Sequence, residues 1–240
     1  MVKRGARAPH ILLCGLAVAG LLGAAGCKAD TAGGAGNGNG SGSGPGKSAP
    51  GGSALAAVDS LTVKGRAPKT GYTREKFGKS WVDTDHNGCG TRDDILKRDL
   101  TAETFRAEKG GDCVVTSGKL DDPYTGQQLT YTRGKSTIDI DHAVALSDAW
   151  QKGAGQWTTD KRVQFANDPM NLIAADASAN RSKGDGDTAT WLPPNKGYRC
   201  AYVARQVAVK KKYGVWVTAA EKDAMRKQLN TCPNEKLPTS

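Results

Sequence analysis

A glycine-rich stretch near the N-terminus limits how much of this 240-residue chain can fold. Residues 31–54 contain 10 of the 31 glycines, mixed with serine, asparagine, alanine and proline. A segment of this composition buries too little apolar surface to offset the entropy lost on ordering, so we predict a disordered tether over residues 27–61. The folded part is then residues 62–240, a length that suits one domain with one core.

The first 26 residues have the layout of an export signal. Lys3, Arg4 and Arg7 precede an apolar run of about 13 residues that ends in small residues. A helix needs roughly 20 apolar residues to cross a bilayer, and no later stretch is as apolar, so no transmembrane span is expected. The sequence Ala-Ala-Gly-Cys that ends at Cys27 is similar to a bacterial lipobox. We therefore expect a cell-surface lipoprotein acylated at Cys27, with plain secretion as the alternative.

The mature chain is basic. Removal of residues 1–26 takes away three basic residues and no acidic one, so the formal charge falls from +10 to +7. Such an excess favours a polyanionic partner, but a charged solvated surface explains it about as often. Charge alone therefore identifies no function.

Four of the six cysteines lie in the predicted folded part, at positions 89, 113, 200 and 232. No two of them have the CxxC spacing of a zinc site, and an exported protein meets oxidising conditions, so two disulfides are expected. Three connectivities are possible. We favour Cys89–Cys113 and Cys200–Cys232 because each closes a local loop.

The pattern of apolar residues predicts an α+β fold. Residues 91–107 have roughly helical periodicity, and residues 114–120 and 128–131 are predicted to form a hairpin. Residues 136–141 alternate, which indicates a strand that ends at His142. Further helices are predicted at 143–151, 159–166, 200–213 and 218–229. Because strands and helices do not alternate as βαβ units, an α+β domain is favoured over a doubly wound sheet.

Two histidines, His86 and His142, remain after the export signal, so these two are the candidates for a mechanism that needs a histidine. His142 is better placed because it directly follows Asp141 at the end of a predicted strand. Asn171-Leu172 and then Asn180, within the sequence Asn-Arg-Ser-Lys-Gly-Asp, follow further along the chain.

The order and spacing of these residues resemble the HNH, or ββα-metal, nuclease motif. The resemblance is closest to exported and restriction-associated HNH proteins, and it covers residues 141–150 and 167–185, with weaker similarity over residues 81–194. It implies a single domain built around a ββα-metal motif with additional helices. It also implies an endonuclease that hydrolyses DNA, and RNA stays open as a second substrate.

By this resemblance, His142 is the general base, Asp141 and Asn180 bind one divalent metal, and Asn171 braces the catalytic loop. Phosphodiester hydrolysis needs a base for the attacking water and positive charge to stabilise the phosphorane. An imidazole with an ordinary pKa of about 6.5 can serve as that base at neutral pH. Carboxylate and amide oxygens suit Mg²⁺ or Mn²⁺.

Other polar residues near the motif have two interpretations each. Arg92, Arg181 and Lys183 are candidate phosphate contacts, weighed against ordinary solvated surface. Asp139 shares a strand face with Asp141, so it either supports the site or belongs to a solvated alternation.

Residues 83–94 form a second constellation. Oxygen-bearing side chains occupy positions 1, 3, 5 and 12 of a calcium loop, with glycine at position 6: Asp83, Asp85, Asn87 and Asp94. Asp94 is shorter than the usual glutamate, and Asx residues with glycine also suit an ordinary turn. Similar segments accompany the HNH motif in the exported family. Ca²⁺ binding, a loop that borders the active site and a plain turn all stay open.

The main alternative function is a non-enzymatic, calcium-stabilised cell-surface binding module for anionic polymers. It leaves the spacing of the motif residues unexplained. A hydrolase of envelope polymers would need paired carboxylates, and no pair is singled out by its setting. We expect a monomer by default, DNA as the partner, and membrane contact through a lipid anchor at Cys27 alone. No DNA-reading module is recognisable, so phosphate contacts should dominate affinity.

Overall fold

The computed structural model describes residues 52–107 and 113–239. The predicted export signal, the proposed lipidation residue Cys27 and most of the predicted tether lie outside these ranges. The helices and strands are α1 (Ala54–Asp59), α2 (Thr91–Asp99), β1 (Leu100–Arg106), β2 (Val114–Asp121), β3 (Gln128–Thr132), β4 (Ile138–His142), α3 (Leu146–Gln151), α4 (Thr159–Ala166), β5 (Leu172–Asp176), α5 (Ala177–Lys183), α6 (Arg199–Tyr213) and α7 (Ala219–Leu229). None of these described helices is long and apolar enough to cross a bilayer.

Strands β1, β2 and β3 form an antiparallel sheet in that order. The hairpin that the sequence predicts is confirmed as β2 and β3, with Leu120 opposite Leu129. Asp122 shapes the turn between them, because its carboxylate accepts hydrogen bonds from the N–H groups of Tyr124 and Thr125 at 3.3 and 2.8 Å. The turn thereby carries the fully buried Tyr124 into the core.

The helix predicted over residues 91–107 is shorter than expected. The structure has a helix at Thr91–Asp99 and a strand at Leu100–Arg106. The helical prediction for residues 100–106 is wrong because this segment pairs with β2, and the Thr104 hydroxyl lies 2.7 Å from the hydroxyls of Thr116 and Ser117. Pairing with a distant strand here overrides the local periodicity.

Strands β4 and β5 form a separate antiparallel pair, and α5 follows β5 directly. Asp141 lies opposite Ile173, and His142 lies opposite Leu172. Two strands followed by a helix that packs on them is the ββα arrangement implied by the resemblance. The predicted fold class, an α+β domain with a ββα unit and additional helices, is confirmed.

The β4–β5 pair lies between two apolar clusters. One cluster contains Ile140 and Leu96 and faces the three-stranded sheet. The other contains Ile173, Tyr202 and Met225 and is built mainly from helices. Because both sides of the pair are packed, the polar side chains of β4 need partners within the protein.

The tether predicted over residues 27–61 includes residues at its C-terminal end that are folded. Helix α1 begins after Ser53, whose Oγ accepts a hydrogen bond from a backbone N–H of the first turn at 3.2 Å. Ala54 and Val58 are fully buried, and Leu61 is nearly so, in the cluster formed with α6 and α7. Their spacing is that of one helix face, so this short segment buries enough apolar surface to fold. The folded part therefore includes residues 53–61.

Both favoured disulfides, Cys89–Cys113 and Cys200–Cys232, are present, with Cα–Cα distances of 5.2 and 6.5 Å. The first joins the segment before α2 to the start of β2. The second joins the first turn of α6 to the segment after α7. The predicted pairing is confirmed.

A buried ionic cluster joins distant parts of the chain. Its members are Arg66, Asp148, Lys152, Asp187, Lys210 and Glu221. Lys152 Nζ lies 2.6 Å from the Glu221 carboxylate and 2.8 Å from that of Asp187. Burial acts to raise the pKa of Asp148, but the ammonium groups of Lys210 and Lys152 outweigh it and lower that pKa to about 2. Three basic and three acidic residues are therefore paired in this cluster, and Arg66 is its one partly exposed member.

Candidate active site

A cavity of about 410 Å³ opens beside β4 and α5. Its charged and polar lining residues are Arg74, Arg92, Asp139, Asp141, His142, Asn180 and Asp185. The structure thus brings together five residues that were singled out from the sequence: Arg92, Asp139, Asp141, His142 and Asn180. Arg74 was missed, because it precedes the motif and lies in a short 3₁₀ helix with no sequence signal of its own.

Two side-chain pairs link β4 to α5. Asp139 and Asp141 are two residues apart on one strand face, and Asn180 and Lys183 are three apart on one helix face. Asn180 Nδ2 donates a hydrogen bond to Asp139 Oδ2 at 3.1 Å, and Lys183 Nζ donates to Asp141 Oδ1 at 3.0 Å. Residues two apart on the strand therefore lie opposite residues three apart on the helix, and the two polar pairs form side by side. Asp139 therefore supports the site and is not part of a solvated alternation.

Asp141 is held from two sides. Its side chain is nearly buried, and the Tyr124 hydroxyl donates to Oδ2 at 2.6 Å while Lys183 occupies Oδ1. Burial, and then the Asp141 charge, raise the pKa of Tyr124 well above its ordinary value, so the phenol keeps its proton and acts as a donor. A carboxylate has about four acceptor positions, so these two bonds orient Asp141 and leave acceptor capacity for a ligand.

Lys183 contacts two residues of the cavity lining but does not line the cavity itself. Its side chain is fully buried, and Nζ donates to the backbone carbonyl of His142 at 2.8 Å as well as to Asp141. This burial argues against the predicted phosphate contact, since the ammonium is used within the protein. Arg181 is exposed and is not among the residues that line the cavity, whereas Arg92 is.

The His142 imidazole is fixed by a backbone carbonyl. Nε2 lies 2.8 Å from the carbonyl oxygen of Ala166, which can only accept, so Nε2 carries the proton. In the neutral ring, Nδ1 is then the atom with a free lone pair. Burial is the largest cause that lowers the pKa of His142 to about 3, and Arg74 and Lys183 act in the same direction. The ordinary pKa assumed from the sequence is wrong, and the ring is uncharged at neutral pH.

Asn171 braces the segment that follows the histidine. It is fully buried, and its Oδ1 accepts a hydrogen bond from the Val144 N–H at 2.8 Å. Its backbone carbonyl accepts from the Ala143 N–H at 2.7 Å. Asn171 does not line the cavity, so its position suits the bracing role that the resemblance implies.

The segment 83–94 is a hydrogen-bonded loop that leads into the first turn of α2, and Arg92 in that turn lines the cavity. The Asp83 carboxylate accepts from the N–H groups of Asn87 and Gly88 at 3.2 and 2.9 Å. Asn87 Nδ2 donates to Asp85 and Asp94, each at 3.0 Å. Among the described residues, no three His, Cys, Asp or Glu side chains are grouped so as to hold a metal ion. The contacts favour a turn that borders the site through Arg92, and Ca²⁺ binding stays a prediction.

A family model, described as the C-terminal domain of GmrSD restriction endonucleases, matches residues 90–228. The chain belongs to this family. The matched range of the GmrSD C-terminal domain includes Asp141, His142 and Asn180. Three further residues that line the cavity, Tyr72, Arg74 and Trp81, precede it. Membership of this family confirms the general class, a nuclease, that the sequence predicted.

A relative of this GmrSD C-terminal domain is described as an uncharacterized secreted protein of Arthroderma benhamiae. The two are 41% identical over 182 residues, which is 75% of this chain and 85% of the relative. No solved structure matches the chain.

Proposed function

We propose that this chain is an exported, metal-dependent endonuclease that hydrolyses DNA phosphodiester bonds with His142 as the general base. RNA is a second substrate to be tested. The observation that carries the proposal is the His142 imidazole, which is uncharged, held at Nε2 by a carbonyl, and placed in one cavity with Asp141 and Asn180. Membership of a restriction endonuclease domain family supports the nuclease class.

The residues around the cavity fit a hard divalent ion. Asp141 offers a carboxylate with remaining acceptor capacity, and the bond from Asn180 Nδ2 to Asp139 leaves the side-chain oxygen Oδ1 of Asn180 as the atom that could bind the ion. Such oxygen ligands suit Mg²⁺ or Mn²⁺ and not a thiophilic metal. When bound, the ion supplies positive charge for the phosphate and a more acidic water.

The chain itself supplies the base and part of the charge. His142 Nδ1 accepts the proton of the attacking water, and the bond from Nε2 to Ala166 keeps the ring from rotating. Arg74 and Arg92 line the same cavity and can neutralise a phosphate as negative charge develops. The uncharged imidazole needs no prior deprotonation at neutral pH, although its lowered pKa also makes it a weaker base than an ordinary histidine.

Tyr124 positions Asp141, and a substitution that removes only the Tyr124 hydroxyl oxygen tests this role. In Tyr124→Phe the ring stays but Asp141 loses its 2.6 Å hydrogen bond, so we expect about a 10- to 100-fold rise in the Mg²⁺ concentration for half-maximal cleavage. The matched control is Tyr202→Phe, which removes an equally buried hydroxyl that donates to the Ala143 carbonyl at 3.3 Å. If both variants show the same metal requirement, Tyr124 does not position a ligand.

We also propose export, with lipid attachment at Cys27 and plain secretion as the alternative. The Arthroderma benhamiae relative is described as secreted. Two disulfides in the described part of this chain are typical of proteins from oxidising compartments.

Incubation of the purified mature chain with plasmid tests the function directly. With Mg²⁺ or Mn²⁺ we expect nicked and then linear plasmid, with EDTA no cutting, and with added Mg²⁺ recovery of cutting. Agarose gels give the readout. A chain that retards plasmid on a native gel but leaves it intact with either ion would support the calcium-stabilised module for anionic polymers instead.

A further inference from the structure

Trp81 has a strained backbone at the edge of the cavity. Its φ is +61°, in the left-handed region that bulky L-residues rarely adopt. The backbone of the next residue is fixed on both sides, because Val82 N–H donates to Asn167 Oδ1 at 3.1 Å and the Val82 carbonyl accepts from the Thr91 hydroxyl. Strain that is imposed by buried neighbours commonly marks a functional position.

The strained residue presents an aromatic ring where the proposed chemistry takes place. Trp81 lines the same cavity as His142 and Asn180. The guanidinium carbon of Arg92 lies 5.6 Å from the centre of the Trp81 ring, a cation–π distance. An indole and a guanidinium in one cavity can provide an aromatic surface for a nucleobase and a positive charge for its phosphate.

Packing alone does not explain this arrangement. The Trp81 side chain packs against the cluster around Ile95 and Leu96 but is not fully buried, and it also lines the cavity. Tyr72 adds a second, half-buried aromatic side chain to the cavity lining. The cavity volume of about 410 Å³ falls in the range of sites that enclose whole small ligands, about 300 to 1,000 Å³. A phosphate group alone needs far less room.

We propose that Trp81 stacks a nucleobase next to the bond that is cut, so that the preferred substrate is single-stranded or locally unpaired nucleic acid. A base inside a duplex is already stacked on its neighbours and must leave the helix to reach the ring, which costs free energy. The inference rests on the proposed nuclease function and adds the substrate class. Trp81 lies before the matched family range of residues 90–228, so the family match says nothing of it.

An abasic nucleotide tests this stacking directly. The probe is a labelled single-stranded DNA of about 20 nucleotides, with or without one tetrahydrofuran nucleotide at its centre, and cleavage is quantified at every linkage on a sequencing gel. We expect cleavage at a linkage beside the abasic nucleotide to fall by about 5- to 150-fold relative to the same linkage in the normal strand, the range for one lost base stack. The annealed duplex should be cut more slowly than the single strand.

The variant Trp81→Leu should lose this discrimination, and Trp81→Phe should retain part of it. Trp216→Leu is the matched control, because Trp216 is a partly buried tryptophan outside the cavity lining. If the wild-type enzyme cuts beside the abasic nucleotide as fast as elsewhere, the stacking proposal is overturned while the nuclease function stands. This wild-type comparison decides the matter even if Trp81→Leu fails to fold. Absence of metal-dependent cutting on every substrate would instead overturn the proposed function.

Discussion

Replacing His142 with alanine is expected to lower the rate of phosphodiester cleavage by about 10²- to 10⁴-fold while nucleic-acid binding stays close to wild type. The base is lost, but the oxygen donors of Asp141 and Asn180 and the charges of Arg74 and Arg92 remain. Cleavage is measured on plasmid at saturating Mg²⁺. Binding is measured by fluorescence anisotropy of a labelled strand in EDTA at several salt concentrations, because phosphate contacts set the salt dependence.

His86→Ala is the matched control for this variant. His86 is exposed in the loop beside the cavity and does not line it, so its removal should change the rate little. Cutting by His142→Ala at a rate near wild type, in a preparation free of other nucleases, would refute the general-base assignment. A parallel loss of binding would place His142 in substrate binding.

Removal of one carboxylate from the buried ionic cluster should be the most destabilising single change tested. Glu221→Ala removes the carboxylate that lies 2.6 and 2.9 Å from the ammonium groups of Lys152 and Lys210, and neither lysine is exposed to solvent. The cluster then keeps three basic groups but only two carboxylates. We expect the free energy of unfolding to fall by about 3 to 5 kcal/mol, the usual cost of an uncompensated buried charge. Urea unfolding followed by circular dichroism gives the measurement.

Asp223→Ala removes a carboxylate from the exposed side of the same helix α7 and serves as the control. It should change the free energy of unfolding by about 0.5 kcal/mol or less. If the two variants are equally stable, the cluster is not an important source of stability.

Most of the candidate active site was predictable because its signal is local. Asp141 and His142 are adjacent in sequence, Asn171 and Asn180 follow at fixed spacing, and the strand that ends at His142 is visible in the alternation of Ile138 and Ile140. The ββα arrangement followed from the same residues through the resemblance. The two disulfides followed from chain proximity.

What the sequence did not reveal depends on contacts between distant segments. Tyr124 meets Asp141 because a hairpin turn carries it there, and no spacing rule links the two. The buried ionic cluster joins Arg66 to Glu221, so its members look like ordinary surface charges in the sequence. Helix α1 did leave a signal, in the serine cap and the spacing of Val58 and Leu61, but the glycine-rich composition beside it obscured that signal.

The two ends of the folded part lie next to each other. The N–H of Ala54 donates to the carbonyl of Glu235 at 2.8 Å, and Ser53 and Lys236 form a β-bridge. A short linker could therefore join these ends, and new termini could be opened in an exposed loop elsewhere without changing the core. The same geometry would allow the whole domain to be inserted into a loop of another protein, because the chain would leave and re-enter the host protein at two neighbouring positions.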